Sequence, residues 1–349
     1  MKVLQVVEWF SPHAGGVARH VRELSSFLSA YADVSILTSD PEAEGDVFRL
    51  PAVKDPLFKA TITPGLPAIL KKYVRDYDVV HVHHAFARLP LAAIKAAKTF
   101  NISVVLTNHT VSFMYDYEYL WRFLSYTYPR YRLTLSKVDS IISVSEAARR
   151  FISNFTANPG IVIPNGVDTD RFRPRSGIRL FDGDPVILYV GRLVPKKGVD
   201  NLILAMRNVL KVHRKARLII VGKGALQKML RSEAKLAGVE SSVSFLGYVP
   251  DEELPYIYNS ADVFVLPSIT GESFGIVLLE AMASGLPVVA TRVGGIPEVL
   301  SGQGVLVDPE PESIAEGIEE ALGHPTTLPE RFSWKNIAKR VYKVYREII

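Results

Sequence analysis

Short apolar, β-branched runs recur along the whole 349-residue chain, and each is followed by a stretch with helical patterning. In the first half the runs cover 3–7, 34–38, 79–82, 104–107, 140–144 and 161–164. In the second half they cover 186–190, 218–221, 243–245, 263–267, 288–291 and 305–308. Runs this short, with no polar alternation, fit strands buried on both faces, as in parallel sheets with helices on either side. One strand–helix series ends and another begins across 174–185, where Arg173-Pro174-Arg175-Ser176-Gly177 and Phe181-Asp182-Gly183-Asp184-Pro185 are turn-rich and polar. The pattern predicts two doubly wound α/β domains, 1–173 and 174–333. If they face one another, a ligand lies in the cleft at the carboxyl ends of the strands. The last stretch, 334–349, sets Ile337, Val341, Val344 and Ile348 on one helical stripe.

Composition narrows the function classes. Hydrophobic residues make up 48% and charged residues 22%, which suffices for two cores of ordinary size. The absence of cysteine excludes disulfides, thiolate metal sites and cysteine nucleophiles, and fits a reducing compartment. The segment from Met1 to Trp9 is charged at once and reads as a first strand rather than a signal peptide. No uninterrupted apolar run reaches the ~18 residues that span a bilayer, so a cytoplasmic protein is expected. The net charge of +5 comes mainly from the first half, which holds 18 basic and 14 acidic residues over 1–165, against 23 and 22 over 166–349. So small an excess does not indicate nucleic acid. It is compatible with an acidic substrate or an anionic membrane surface.

The second half carries the densest chemistry. From Gly271 to Val289 a glycine-containing loop runs into an apolar helix and then a strand. Glu272 falls on the loop. Glu280 falls on the second turn of the helix, on the face of Ile276 and Val277, which should be core. A carboxylate there needs a partner, either a basic residue or sugar hydroxyls. Upstream, the strand 186–190 runs into Gly191-Arg192-Leu193-Val194-Pro195-Lys196-Lys197-Gly198 before a helix. Glycine allows close backbone approach, a helix start offers amides to an anion, and Arg192 and Lys197 bring two cations to one strand end. Lys196 reads as solvated. Val221-Gly222-Lys223-Gly224 is either a plain strand-to-helix turn or a nucleotide contact. Tyr248, in Leu246-Gly247-Tyr248-Val249-Pro250, either stacks on a base or caps the core. Packing alone accounts for the glycine-rich turn Val293-Gly294-Gly295-Ile296-Pro297-Glu298.

In the first half, the loop Ser11-Pro12-His13-Ala14-Gly15-Gly16-Val17 opens a helix bearing Arg19, His20 and Arg22. It suits a phosphate or sugar hydroxyl, or serves as a tight turn. His109 follows the strand 104–107, where an imidazole can donate to a ligand. His81 and His83 share one strand face, but spacing shows no third ligand, so no metal is expected. His84, just past that strand, is assigned to the acceptor side. Ser145 reads as a helix N-cap and Asn165-Gly166 as a turn, with Asn165 serving hinge geometry or a ligand. Two basic, aromatic stretches, 53–75 and 115–137, read as partly amphipathic helices. The first carries Lys54, Lys59, Lys71, Lys72 and Arg75; the second carries Trp121, Arg122, Phe123, Tyr126, Tyr128, Arg130, Tyr131 and Arg132. They either dock on an anionic membrane or bury one face and solvate a basic edge.

The E-x7-E spacing of Glu272 and Glu280, the GR-x-x-x-x-KG run ending in Lys197-Gly198, the V-G-x-G turn at Gly222, the Gly15-Gly16 loop, the T-x-H element at His109 and Pro164-Asn165-Gly166-Val167-Asp168 occur together. Together they resemble glycosyltransferase family 4, retaining nucleotide-sugar-dependent transferases of the GT-B fold. The resemblance covers nearly the whole chain and is weakest over 40–135. It implies two Rossmann-like domains facing across a cleft, with 334–349 crossing back onto the first. It implies that Arg192 and Lys197 hold the diphosphate without a metal, that Glu280 binds the ribose and that Glu272 and His109 lie near the transferred sugar. Donor contacts fall to Gly15, Gly16, Gly191, Gly222, Ser273, Phe274, Gly275 and Ile276, and acceptor contacts to Gly16, His84 and His109. The implied activity moves a hexose such as glucose or mannose from a UDP- or GDP-sugar to a glycan or lipid-linked acceptor hydroxyl. No cofactor or metal is required, and the enzyme is cytoplasmic or peripheral at the inner membrane face. The rival readings are an epimerase, a phosphorylase or a non-catalytic sugar-nucleotide-binding subunit.

Overall fold

The computed structural model describes residues 1–11, 15–55, 60–84, 86–112 and 129–349. The chain forms two compact units, one of residues 1–166 with 331–349 and one of residues 167–330.

The first unit begins with β1 (Lys2–Val7), α1 (Gly16–Leu28), β2 (Asp33–Thr38), β3 (Phe48–Arg49), β4 (Val53–Asp55), β5 (Ala60–Ile62) and α2 (Leu66–Val74). It continues through β6 (Val79–His83), α3 (Arg88–Lys98), β7 (Ser103–Asn108), α4 (Pro129–Leu135), β8 (Ser140–Ser143), α5 (Glu146–Ile152) and β9 (Ile161–Val162). Its main sheet has the order β3-β2-β1-β6-β7-β8-β9 and is parallel throughout. Strand alternation divides the side chains between two layers. Leu4, Val6, Val80, Val82, Val104 and Leu106 face α2 and α3, meeting Leu70, Val74, Leu89 and Ile94.

The second unit runs β10 (Val186–Val190), α6 (Val199–Val212), β11 (Arg217–Val221), α7 (Gln227–Leu236), β12 (Val243–Gly247), α8 (Leu254–Tyr258) and β13 (Val263–Leu266). It ends with α9 (Ile276–Ala283), β14 (Val288–Thr291), α10 (Ile296–Leu300), β15 (Val305–Val307) and α11 (Pro311–Ala321). Its sheet, β12-β11-β10-β13-β14-β15, is also parallel. Every strand expected from the apolar runs is present in one of the two sheets.

The closing helix α12 (Trp334–Ile348) packs on the first unit. Its Ile337, Val341 and Val344 join Leu24 and Leu28 of α1 over Val3, Val79 and Val105 of the sheet. The division between units falls at Gly166, ahead of the turn-rich 174–185 segment, because residues just after it are fastened to the second unit. The Arg171 guanidinium donates to the Asp251 carbonyl, the Phe172 ring meets Tyr258 at 5.7 Å, and Arg175 N donates to Asn259 Oδ1 at 2.6 Å.

The basic stretch 53–75 is not one helix. β4 and β5 pair as an antiparallel ribbon, and helix begins only at Leu66, after Pro64-Gly65. β-Branched Val53, Thr61 and Ile62 favour strand, and proline and glycine interrupt a helix. Lys59 of that stretch lies outside the described residues, as do Trp121, Arg122, Phe123, Tyr126 and Tyr128 of the other and Pro12, His13 and Ala14 of the glycine loop.

Candidate functional site

The strand order reverses between β10 and β13, since β11 and β12 extend one side and β14 and β15 the other. Such a switch point opens a crevice at the carboxyl ends of the strands. Two loops flank it. The one after β10 carries Gly191, exposed Arg192 and the short turn Pro195–Lys197; the one after β13 carries Ser268 and Glu272. Lys197 Nζ donates to Glu272 Oε2, and Ser268 Oγ donates to the same oxygen at 3.1 Å. Both charged side chains are only 13% exposed, so the pair is largely desolvated.

Burial pushes the Glu272 carboxyl up, but the charge and hydrogen bond of Lys197, the charge of Lys196 and the Ser268 hydroxyl outweigh it. The carboxyl is held below its ordinary value and stays ionised. Lys196 therefore acts on Glu272 through its charge, beyond the solvated role its sequence position implied. Beneath the first loop, the buried Tyr189 phenol donates to the Arg192 carbonyl at 3.0 Å. Burial and then the Glu272 charge raise its pKa.

Two glycines set these loops together. Gly222, at the end of β11, has φ +128°, and a Cβ there would lie 1.9 Å from the Gly191 carbonyl oxygen. Gly294, after β14, has φ +57°, and a Cβ there would lie 1.9 Å from the Glu272 carbonyl oxygen. Gly295 N donates to that oxygen at 2.9 Å. No other residue type fits backbones this close. Gly294-Gly295 thus supports Glu272, a use that packing alone had not suggested.

Ser273, Phe274, Gly275 and Ile276 lead from Glu272 into α9, so the amides of its first turn stand beside the ion pair. Glu280 lies on the second turn of α9 and is 1% exposed. The Tyr258 hydroxyl of α8 donates to its Oε2 at 2.8 Å. The sequence expectation of a buried carboxylate with a partner holds, with a phenol in the place considered for a basic residue. Tyr248 is exposed, with Lys223 6.0 Å over its ring. Chemically, the edge offers a buried ammonium, an exposed guanidinium and helix-start amides to an anionic group.

In the first unit the strand order reverses between β1 and β6. Gly15, with φ +87°, caps α1, whose first residue is Gly16. The Asn108 carboxamide accepts from Thr110 N and donates to the Ala148 carbonyl, which fixes the 108–110 turn around His109. His84 takes the left-handed region at φ +75°, its N–H donating to the Thr107 carbonyl. Burial lowers its pKa to about 4. The second residue of the pair Ser145-Glu146 begins α5, and Ser145 Oγ accepts from Ala148 N as the expected cap.

The sequence missed a buried polar chain beside His109. His83 Nε2 meets Gln5 Oε1 at 2.6 Å, Gln5 Nε2 donates to the Tyr345 hydroxyl at 3.2 Å, and that hydroxyl meets His81 Nδ1 at 2.6 Å. His81 Nε2 then meets Thr107 Oγ1 at 2.7 Å. His20 of α1 meets Asn165 Oδ1 through Nδ1 at 2.7 Å. The signal for part of this was present, since the period-2 pair His81 and His83 sits on an otherwise apolar face. Its partners come from β1, β7 and α12, separate in sequence.

Burial keeps these rings neutral. It lowers His20 to about 4 against the opposing hydrogen bond of Asn165. It takes His81, His83 and His109 well below the ordinary value, and the neighbouring imidazoles add to the effect.

Residues 14–171 match the family model for Glycosyltransferase Family 4, and residues 170–341 match that for Glycosyl transferases group 1. The chain is 30% identical over 373 residues to a phosphatidylinositol N-acetylglucosaminyltransferase subunit of Arabidopsis thaliana, covering 99% of this chain and 81% of that one. It is 31% identical over 349 residues to a GDP-mannose-dependent alpha-(1-6)-phosphatidylinositol monomannoside mannosyltransferase of Mycobacterium tuberculosis, covering 92% and 89%. Among solved structures, sucrose-phosphate synthase from Thermosynechococcus elongatus superposes with a TM-score of 0.78 at 24% identity, over 99% of this chain and 98% of that one. This likeness carries the fold, two Rossmann-like units of the GT-B class.

Proposed function

The chain belongs to the glycosyl transferases group 1, glycosyltransferase family 4, and from that premise we propose that it is a retaining hexosyltransferase using a UDP- or GDP-sugar. The observation that carries the donor assignment is the buried Lys197–Glu272 pair at the switch point of the second sheet. A diphosphate leaving group gains charge as its bond to the sugar breaks, and a preorganised ammonium in a water-poor site stabilises that charge. Arg192 and Lys197 take the phosphates, with the amides of Ser273, Phe274, Gly275 and Ile276 and the close backbones of Gly191 and Gly222. Glu280, oriented by Tyr258, accepts from the ribose hydroxyls. Glu272 and His109 hold the sugar, and Gly15, Gly16 and His84 serve donor and acceptor at the first unit. No divalent metal is needed for this step, because the two cations provide the compensating charge.

In the reaction the anomeric carbon–oxygen bond to the diphosphate breaks, and the acceptor oxygen bonds to the same face of that carbon. The departing phosphate oxygen takes the acceptor's proton, so no enzyme nucleophile is required. Two of the relatives are named for phosphatidylinositol substrates, and a lipid-linked acceptor is the reading these names favour. Among the described residues no helix is long and apolar enough to cross a membrane. The exposed Lys71 and Lys72 on α2 offer a basic surface for peripheral contact at the cytoplasmic face.

The test incubates the protein with UDP- and GDP-hexoses and phosphatidylinositol-containing vesicles, with and without chelator, and reads the product's anomeric configuration by NMR. Chelator-resistant transfer with retained configuration is expected, and Lys197→Ala should lower the rate by about 100-fold. An inverted product, or no turnover with any donor, would sink the reading.

A further inference from the structure

The histidines at the carboxyl end of the first sheet converge. One ring nitrogen from each of His20, His83 and His109 lies within 4.8 Å of the other two. His20 and His83 are buried, and His109 is partly exposed. Ring centroids are 4.7 Å apart for His20 and His109, 5.4 Å for His20 and His83, and 5.7 Å for His83 and His109.

The polarity of two of these rings is fixed by amide carbonyls. Asn165 Oδ1 can only accept, so His20 Nδ1 carries the proton and Nε2 the lone pair. Gln5 Oε1 can only accept, so His83 Nε2 carries the proton and Nδ1 the lone pair. The rest of the chain runs in the same sense. The Gln5 amide donates to the Tyr345 hydroxyl, which donates to His81 Nδ1, leaving His81 Nε2 to donate to Thr107. His83 Nδ1 faces His109 Nε2 at 3.4 Å, and His20 Nε2 is buried with no hydrogen-bond partner. A single proton on His109 answers His83 and leaves the buried His20 lone pair unsatisfied, which is costly. A cation among the rings satisfies all three.

We propose that His20, His83 and His109 form a three-histidine site for a divalent first-row cation of the zinc class. Zinc–nitrogen bonds of about 2.0–2.1 Å in tetrahedral geometry place two ligand nitrogens about 3.3–3.4 Å apart, and the His83–His109 pair stands at 3.4 Å. The third nitrogen, within 4.8 Å of the other two, closes the set by a side-chain adjustment. Asn165 and Gln5 are the outer carbonyls that fix tautomer and orientation in such sites. A ligand must be a neutral imidazole with a free lone pair, and the hydrogen bonds of His20 and His83 leave one on each ring. Partial exposure of His109 gives the ion its way in and leaves a fourth position for water or an anion.

The inference stands on the first unit's geometry and does not depend on the proposed reaction. If His109 also holds the sugar, a bound ion occupies its Nε2, and zinc slows transfer until chelator removes it.

The test titrates the chelator-stripped full chain with Co²⁺ and Zn²⁺. Expected are one equivalent of Co²⁺ with the visible absorption of a four- or five-coordinate site, displaced by Zn²⁺, and a zinc K-edge spectrum fitted by three imidazole nitrogens. His20→Gln and His109→Gln should each weaken binding at least about tenfold, and Asn165→Ala by about 10–100-fold. His213→Ala, which alters the surface pair with Glu319 in the other unit, should change nothing. Absence of the one-equivalent cobalt spectrum in the wild type, or its survival in a folded His20→Gln variant, overturns the proposal. If the variants do not fold, the wild-type K-edge spectrum decides, and fewer than three imidazoles overturns it.

Discussion

Replacing Lys197 by methionine separates the structural from the chemical use of its ammonium. Methionine keeps most of the aliphatic stem and removes the charge. Both side chains of the Lys197–Glu272 pair are 13% exposed, so the effective dielectric is intermediate, and an attraction of about 4 kcal/mol at 4 Å is the relevant scale. Breaking a buried pair from one side costs about 3–5 kcal/mol. Ser268 still donates to Glu272 and Lys196 still contributes its charge, which sets the expectation at about 3 kcal/mol. In a domain of this size that lowers Tm by about 6–12 °C. The pH dependence identifies the cause. In the wild type, burial works to raise the Glu272 carboxyl, but Lys197 and its neighbours hold it below its ordinary value. Such a group stabilises the fold above about pH 4.3, the unfolded glutamate value, and this contribution is lost as pH falls through the lower folded value. Without Lys197, burial prevails, the carboxyl moves upward, and protonation relieves the variant. Its deficit should be largest near pH 7 and shrink toward pH 4.5. In the K197M/E272Q double variant no charge is left buried, so stability returns while transfer does not. Scanning calorimetry of the wild type, K197M and the double variant at two pH values reads both effects. A deficit independent of pH, or a double variant no more stable than K197M, would refute the reasoning.

Three further outcomes follow from the same geometry. Gly222→Ala forces a methyl onto the Gly191 carbonyl in a backbone region unsuited to alanine; more than about 1 kcal/mol of stability and most nucleotide binding should be lost, read by calorimetry and by titration with UDP and GDP. Tyr258→Phe removes a hydroxyl that donates to the buried Glu280; a cost of about 1–3 kcal/mol and weaker nucleoside diphosphate binding are expected, and unchanged values on both would dissociate Tyr258 from Glu280. Acid should destabilise the first unit earlier than ordinary carboxylate titration explains. His20 falls from 6.5 to about 4 on burial, so its stabilising share is complete above pH 6.5 and disappears as pH falls through about 4. His20→Asn should flatten the dependence of Tm on pH in that window.

The sheets and the loops at the strand ends of the second sheet were legible because their causes are local. A β-branched run buried on both faces reads as a strand wherever it sits, and Gly191, Gly222 and Lys197-Gly198 stand at strand ends where a turn must form. What the sequence left open depends on which strands become neighbours. Spacing gave the zinc reading of His81 and His83 no third ligand, because the histidines that converge, His20, His83 and His109, come from α1, β6 and the turn after β7. Parallel pairing places Gln5 opposite His81 and His83 opposite Thr107, and no linear pattern announces that register. The sequence pattern marked α12 by the stripe of Ile337, Val341, Val344 and Ile348 and did not take in Tyr345. Tyr345 is nevertheless fully buried and joins Gln5 to His81.

The same alternation that buries Val3, Val79 and Val105 beneath α1 and α12 also buries Gln5, His81, His83 and Thr107 on that face. A helix offering only aliphatic side chains there would leave Gln5 Nε2 and His81 Nδ1 without partners, at about 1–3 kcal/mol each. Tyr345 removes both penalties with one hydroxyl, accepting from the amide and donating to the ring. That fixed sense passes through Gln5 to His83 and leaves the His83 Nδ1 lone pair facing His109. The final helix therefore does more than cover the sheet: its single buried hydroxyl completes the hydrogen-bond chain in which His83 Nε2 is tied to Gln5 and His83 Nδ1 is left toward His109.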